Sequence, residues 1–157
     1  MGINPRTKGA EGERQVYKML NQIIVEVMTG LAFPPDEIEK AKNMVQRNQN
    51  QTAVGGCDLT NTFGMAIEVK RQETLSIPEW WRQTTKSAEK NNEIPVLMFR
   101  QNNKPWRIRT YGFLHAPGSN GGWSSVQAVV EIDEATFKTW FRAWVTGKLQ
   151  NGSDYRT

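Results

Sequence analysis

The stretch Met65-Ala-Ile-Glu-Val-Lys-Arg71 restricts the fold more than any other part of the chain. It has the apolar and β-branched character of a strand, yet it carries Glu68 and Lys70. Strand side chains alternate between faces, so Met65, Ile67 and Val69 point one way while Ala66, Glu68 and Lys70 point the other. A buried strand of this kind belongs in a sheet, and an acid and a lysine side by side on it need an explanation.

Asp58 supplies part of one. It lies on the preceding strand of an expected hairpin whose turn falls near Asn61 to Gly64, across from Glu68 and Lys70. Two carboxylates converging at a sheet edge repel each other unless a cation sits between them, and hard oxygen ligands favour a hydrated Mg²⁺ or Mn²⁺. A Glu–Lys pair alone is commonplace on a solvent-facing strand and nearly neutral energetically. Its weight here comes from Asp58 and from Gly55-Gly56 just before it, which let backbone or substrate come close.

Glu13 adds a third acid. It precedes Val16 by three residues and Leu20 by seven, so it continues the apolar stripe of the first helix towards the sheet. It also suits a helix-dipole acid in the first turn, a role that Glu11 already serves, and the spacing supports both readings equally. Glu13, Asp58, Glu68 and Lys70 together suit metal-dependent phosphodiester hydrolysis. Asp58 and Glu68, with the backbone carbonyl of Val69, would hold the metal, and Lys70 would orient a water or meet charge developing on the phosphate.

The rest of the chain frames this strand. Val16, Met19, Leu20, Ile23, Ile24 and Val27 recur at helical spacing after an expected N-cap at Thr7, and Gly30 with Pro34-Pro35 ends that helix. A polar helix is expected from Asp36 to Arg47, with a thin stripe of Ile38, Ala41 and Val45. Pro78 opens another, and strands are expected over 94–100, 105–113 and 125–132. Asp133 caps a closing helix bearing Phe137, Trp140, Phe141, Trp144 and Val145, with Gly147 as its end. The expectation is one α/β domain over residues 1–157, a central mixed sheet flanked by helices.

Length and composition agree. A chain of 157 residues can bury one core, and 38% hydrophobic with 23% charged residues suits a globular protein. No apolar run is long enough to span a bilayer and no signal-peptide pattern opens the chain, so an intracellular, cytoplasmic location is expected. The single cysteine, Cys57, excludes an internal disulfide and a cysteine-built zinc site. A net charge of +4 permits a polyanionic partner without demanding one. Arg107 and Arg109 alternate with Trp106 and Ile108, giving a basic edge able to track phosphates.

Three stretches resemble the PD-(D/E)XK nuclease superfamily, and within it archaeal-type Holliday-junction resolvases. Lys8 to Leu20 is similar to the family's opening helix, with Glu13-Arg14 as its Glu-Arg pair. Gly55 to Leu59 and Ala66 to Lys70 match its metal-site strands, and Ile94 to Ile108 resembles the strand pair after its second helix. The resemblance implies a restriction-endonuclease-like fold, Mg²⁺ dependence with Mn²⁺ able to substitute, and a homodimer acting on four-way DNA junctions in recombination or repair. Lys8, Arg14, Arg47, Arg71 and Arg107 would contact DNA. Two departures stand out: residues 31–49 expand the usual link as a helical insertion, and an arginine expected shortly before the aspartate has Arg47 as its nearest counterpart. A viral or mobile-element source, with the host cytoplasm as its setting, is compatible with the pattern, although no residue shows it.

Two rivals remain open: a nuclease of linear or flap DNA in repair or restriction, and a catalytically inactive DNA-binding module. Gln83 and Tyr17 are better read as surface and packing residues than as site residues, and His115 as a loop residue rather than a base. Adjacent Trp80 and Trp81 cannot both follow one buried stripe, so either their helix or the aromatic closing helix is expected to offer a dimer interface.

Overall fold

The computed structural model of the chain describes Gly2 and residues 4–49 and 57–152. In chain order the elements are α1 (Pro5–Gly30), α2 (Pro35–Ala41), β1 (Gln46–Arg47), β2 (Leu59–Thr60), β3 (Met65–Arg71), α3 (Ile77–Asn91), β4 (Ile94–Arg100), β5 (Arg107–Pro117), β6 (Trp123–Asp133) and α4 (Glu134–Gln150). The main sheet runs β3-β4-β5-β6, with β3 parallel to β4 and the other pairs antiparallel, and β1-β2 form a separate antiparallel ribbon. This is the mixed α/β sheet flanked by helices that the sequence implied.

Alternation along β3 decides which helix covers which face. Met65, Ile67 and Val69 join Val16, Leu20 and Ile24 of α1 and Phe137 and Phe141 of α4 in the main core. Ala66 turns to the opposite face, against Cys57 and Ala88 of α3, and Leu97 and Phe99 on that face meet Trp80. The sheet therefore lies between α1 with α4 on one side and α3 on the other, and β3 is an edge strand of its ladder.

Several boundaries differ from the sequence expectation. The N-cap of α1 is Asn4, whose side chain accepts from the Arg6 N–H, and Pro5 opens the helix, so Thr7 lies inside it. The second helix stops at Ala41, because Asn21 draws the chain back by bonding both the N–H and the C=O of Val45, at 2.8 and 3.0 Å. Arg47 is thereby on a strand. The expected hairpin between Asp58 and β3 does not form a ladder: β2 pairs with β1. The expected turn does occur, with positive φ at Asn61, Phe63 and Gly64. Gly147 does not close α4, which continues to Gln150, and His115 lies on β5 rather than in a loop.

The aromatics of α4 take part in the core. Phe137 and Phe141 have no exposed surface, Trp140 and Trp144 pack against the cluster, and the Trp144 indole N–H donates to the Phe63 carbonyl at 2.8 Å. That bond anchors the turn feeding β3. Trp80 is buried as well, and Trp81 meets Tyr111 edge-on, with ring centroids 5.5 Å apart. The exposed apolar surface is elsewhere. β4 pairs with β5 over Arg107–Thr110, whereas β5 and β6 continue together to Pro117↔Trp123 as a two-stranded arm. Trp123, Phe113, Val126 and Leu114 on that arm are 79%, 65%, 59% and 58% exposed.

Candidate active site

Asp58 is held from three sides at the open edge of β3. Its N–H donates to the Ile67 carbonyl at 3.1 Å, its own carbonyl accepts the Asn48 N–H at 2.8 Å, and its Oδ2 accepts the Val69 N–H at 2.6 Å. Asn48 also reaches the Cys57 carbonyl through Nδ2, at 3.0 Å, so the residue after β1 fixes the approach to Asp58. In a strand, the N–H and C=O of one residue emerge on the same side, so the Val69 carbonyl is on the Asp58 side of β3. Gly55-Gly56 lie outside the described residues.

Glu68 and Lys70 stand on the α3 face, where Lys70 Nζ pairs with Glu68 Oε1 at 3.1 Å. Glu13 comes from α1 on the other face, is buried, and bonds the Arg47 guanidinium. The two faces meet because β3 is an edge, and residues 31–49 matter here because they deliver Arg47 to it. Glu13, Arg47, Asp58, Glu68, Val69 and Lys70 are thus brought together from four separate segments.

The electrostatics follow from crowding acids under cover. Burial pushes the Asp58 carboxyl up to about 7, the Glu68 and Glu13 charges push the same way, and the Val69 N–H and Lys70 oppose them. Glu68 is also raised, by burial first, against the pull of Lys70 and with a further push from Glu13. The neighbouring Cys57 thiol is driven up to about 12 by burial and by the charges of Glu93, Glu68 and Asp58, which keeps it an unreactive thiol.

An open cavity of about 550 Å³ adjoins these groups, lined by Glu13, Asp58, Val69 and Lys70 and also by Lys8 and Arg71. No group of three or more His, Cys, Asp or Glu side chains gathers as a metal cage among the described residues. Two carboxylates and a backbone carbonyl still fit Mg²⁺, which keeps several waters and commonly takes one or two protein carboxylates. The donors are hard oxygens, and a cation would relieve the repulsion that raises both acids.

The other expected DNA contacts are dispersed. Lys8 pairs with Glu73 at 2.9 Å on the cavity wall, and Arg14 pairs with Glu11 at 2.7 Å while half-exposed. Arg107 forms two bonds to Glu131, at 2.9 and 2.8 Å, and lies over the Phe99 ring. Gln83 is exposed and Tyr17 packs beside the core, as expected. Sequence reasoning missed the clamping role of Asn48 and the placement of Arg100 beside Arg71. Both arise from strand pairing that no local motif encodes.

An acid pinned against an edge strand that carries Glu-x-Lys, with a glutamate arriving from the opening helix, defines a nuclease core of the PD-(D/E)XK class. The chain belongs to the phage PDDEXK endonuclease family, whose model matches residues 4–113. It is a nuclease by family, with DNA as the implied substrate. One solved structure to which it is similar is Hjc, a Holliday junction resolvase of the archaeal hyperthermophile Archaeoglobus fulgidus. That likeness has 19% identity over 60% of this chain and 76% of the other, with a TM-score of 0.31. No curated protein gives a significant sequence match. Among the described residues, no helix is long and apolar enough to cross a membrane.

Proposed function

We propose that this protein is a Mg²⁺-dependent endonuclease that cuts branched DNA of the four-way-junction type. The observation that carries the reading is the convergence of Asp58, Glu68 and Lys70 at the open edge of β3, beside a cavity that Lys8 and Arg71 also line. Asp58, Glu68 and the Val69 carbonyl would hold the cation, which when bound polarises the phosphate and lowers the pKa of a coordinated water. Mn²⁺ would substitute for it. Lys70 pairs with Glu68, pulling against the burial that raises its carboxyl, and would meet negative charge growing on the phosphate. Arg47 holds Glu13, so a buried acid and a phosphate-seeking cation enter the site as a neutral pair. Lys8, Arg14, Arg71 and Arg107 would position the DNA through its backbone.

Resolving a junction requires two opposed cuts, and one site per chain delivers them as a two-fold pair. The arm is the surface we assign to a second copy. From Thr110 to Val130 it contains no Asp, Glu, Lys or Arg, which fits a protein face better than a phosphate backbone. At roughly 150–250 Å² for a fully exposed aromatic, Tyr111, Phe113 and Trp123 offer on the order of 350 Å² per copy, before the aliphatic residues are added. A stable dimer needs about 800 Å² from each partner.

The test is cleavage of a four-way junction, a flapped duplex and a linear duplex of matched sequence, with Mg²⁺ and with chelator. Junction cleavage that requires the metal and exceeds linear cutting supports the reading. Preference for the linear or flapped duplex would leave a repair or restriction nuclease, and binding without cutting would leave a DNA-binding module.

A further inference from the structure

Arg71 and Arg100 are the last residues of β3 and β4 and are register partners in the parallel ladder. Neighbouring strands lie roughly 4.8 Å apart and partners share a face, so the two side chains rise together on the side of α1. Like charges placed opposite each other in a sheet repel. Among the described residues neither arginine takes part in an ion pair, and the Nε of each is buried without a hydrogen-bond partner. Arg100 reaches Gln15 Oε1 through Nη1 at a long 3.5 Å and lies over the Trp106 ring, 5.5 Å from its centroid. Glu73, an acid whose charge reaches Arg71, is already engaged by Lys8 Nζ at 2.9 Å and by the Asn102 N–H at 2.8 Å.

Two cations held together with unsatisfied donors oppose folding. The backbone accommodates them: a Cβ at Gly12 would stand 3.1 Å from the Arg71 Cβ and 3.7 Å from the Trp106 ring, so the bare glycine lets α1 settle over the pair. An arrangement that lowers stability, with Arg71 on the wall of the cavity beside Asp58 and Lys70, is best explained by an anion that completes it.

We propose that Arg71 and Arg100 form a paired phosphate clamp for the DNA backbone. It holds a phosphate neighbouring the one that reacts, because Arg71 lies on the opposite face of β3 from Glu68 and Lys70. Two guanidinium forks match the oxygens of a phosphodiester in planar, bidentate fashion, which a lysine cannot reproduce. The clamp rests on the nuclease reading above and adds Arg100 to it.

The experiment measures DNA binding by anisotropy across a salt series, in chelator so that nothing is cut, together with melting temperatures. Arg71→Met and Arg100→Met keep the aliphatic stem, and Lys138→Met on α4 removes the same charge elsewhere. Each arginine variant is expected to bind roughly tenfold more weakly and to lose about one unit of the log–log salt slope, with no fall in melting temperature. Lys138→Met should match the wild type, and Arg100→Lys should recover the slope but only part of the affinity. Arginine variants that bind like Lys138→Met, or that melt earlier with affinity intact, overturn the clamp. Normal Mg²⁺-dependent cleavage alongside that result would leave the nuclease standing and the clamp alone refuted. Arginine-dependent binding by a protein that never cleaves would do the reverse, and a protein that binds no DNA would remove both.

Discussion

The two halves of the main sheet treat exposure in opposite ways. At β3, where the strand is covered on both faces, the chain buries carboxylates: Asp58, Glu68 and Glu13 are 7%, 9% and 9% exposed. At the end of β5 and β6, where neither helix layer reaches, it exposes Trp123 and Phe113 to 79% and 65%. Each half breaks the ordinary partition of polar out and apolar in. On the reading proposed above, the buried acids would take a cation and a substrate, and the exposed apolar arm a second copy. Departures of this kind are where functional sites are sought, and here they differ in chemistry: acids under cover in one half, aromatic rings in water in the other.

The largest effect should separate the halves by chemistry. Asp58→Asn, Glu68→Gln and Lys70→Ala should each lower Mg²⁺-dependent DNA cleavage by at least about a hundredfold while leaving binding intact or tighter. Phe113→Ala, in the arm, should leave the chemistry of a bound substrate untouched. Near-normal rates in all three site variants would dissolve the distinction.

Next comes a contrast between two phenylalanines. Phe141→Ala in the core should cost roughly 3–5 kcal/mol, read from denaturant unfolding. Phe113→Ala should stay within about 0.5 kcal/mol in the monomer, because its ring is already in water. With Trp123→Ser added, it should shift the sedimentation of the protein towards monomer. A double variant that keeps the wild-type oligomer would move the second-copy contact away from the arm.

The buried acid gives a pH signature. Because the folded Asp58 carboxyl is raised to about 7 from an ordinary 3.8, the native state binds its proton more readily than the unfolded chain. Its penalty is therefore absent below about pH 4, grows as the pH rises to 7, and is full above that. In chelator, Asp58→Asn should melt higher than the wild type at pH 8, by roughly 2–4 kcal/mol of stability, and the gap should close near pH 4. Added Mg²⁺ should stabilise the wild type and not the variant. A gap that is constant with pH would mean that Asp58 is not a buried charge.

The smallest effect belongs to the base of the arm. Arg107 and Glu131 are bonded twice but both are well exposed, so Glu131→Gln should change stability by less than about 1 kcal/mol and less still at high salt. If Arg107 serves DNA, freeing it from Glu131 should tighten binding at low salt.

The sequence alone determined what is local and periodic. The α1 stripe, the alternation along β3, the Asp133 cap with its bond to the Thr136 N–H, and the spacing of the candidate site residues from Asp58 to Lys70 all depend on near neighbours in the chain. Tertiary structure decided what depends on pairing between distant segments. Arg47 reaches Glu13 because β1 pairs with β2, and Arg71 stands beside Arg100 because β3 and β4 are parallel in a particular register. The aromatic residues show the limit most clearly. Phe141 and Phe113 are equally apolar letters in equally regular elements, and one is core while the other is bare. Hydrophobicity records the free energy available on burial, and only the packing of helices over the sheet, which ends where β4 stops pairing with β5, determines which residues receive it.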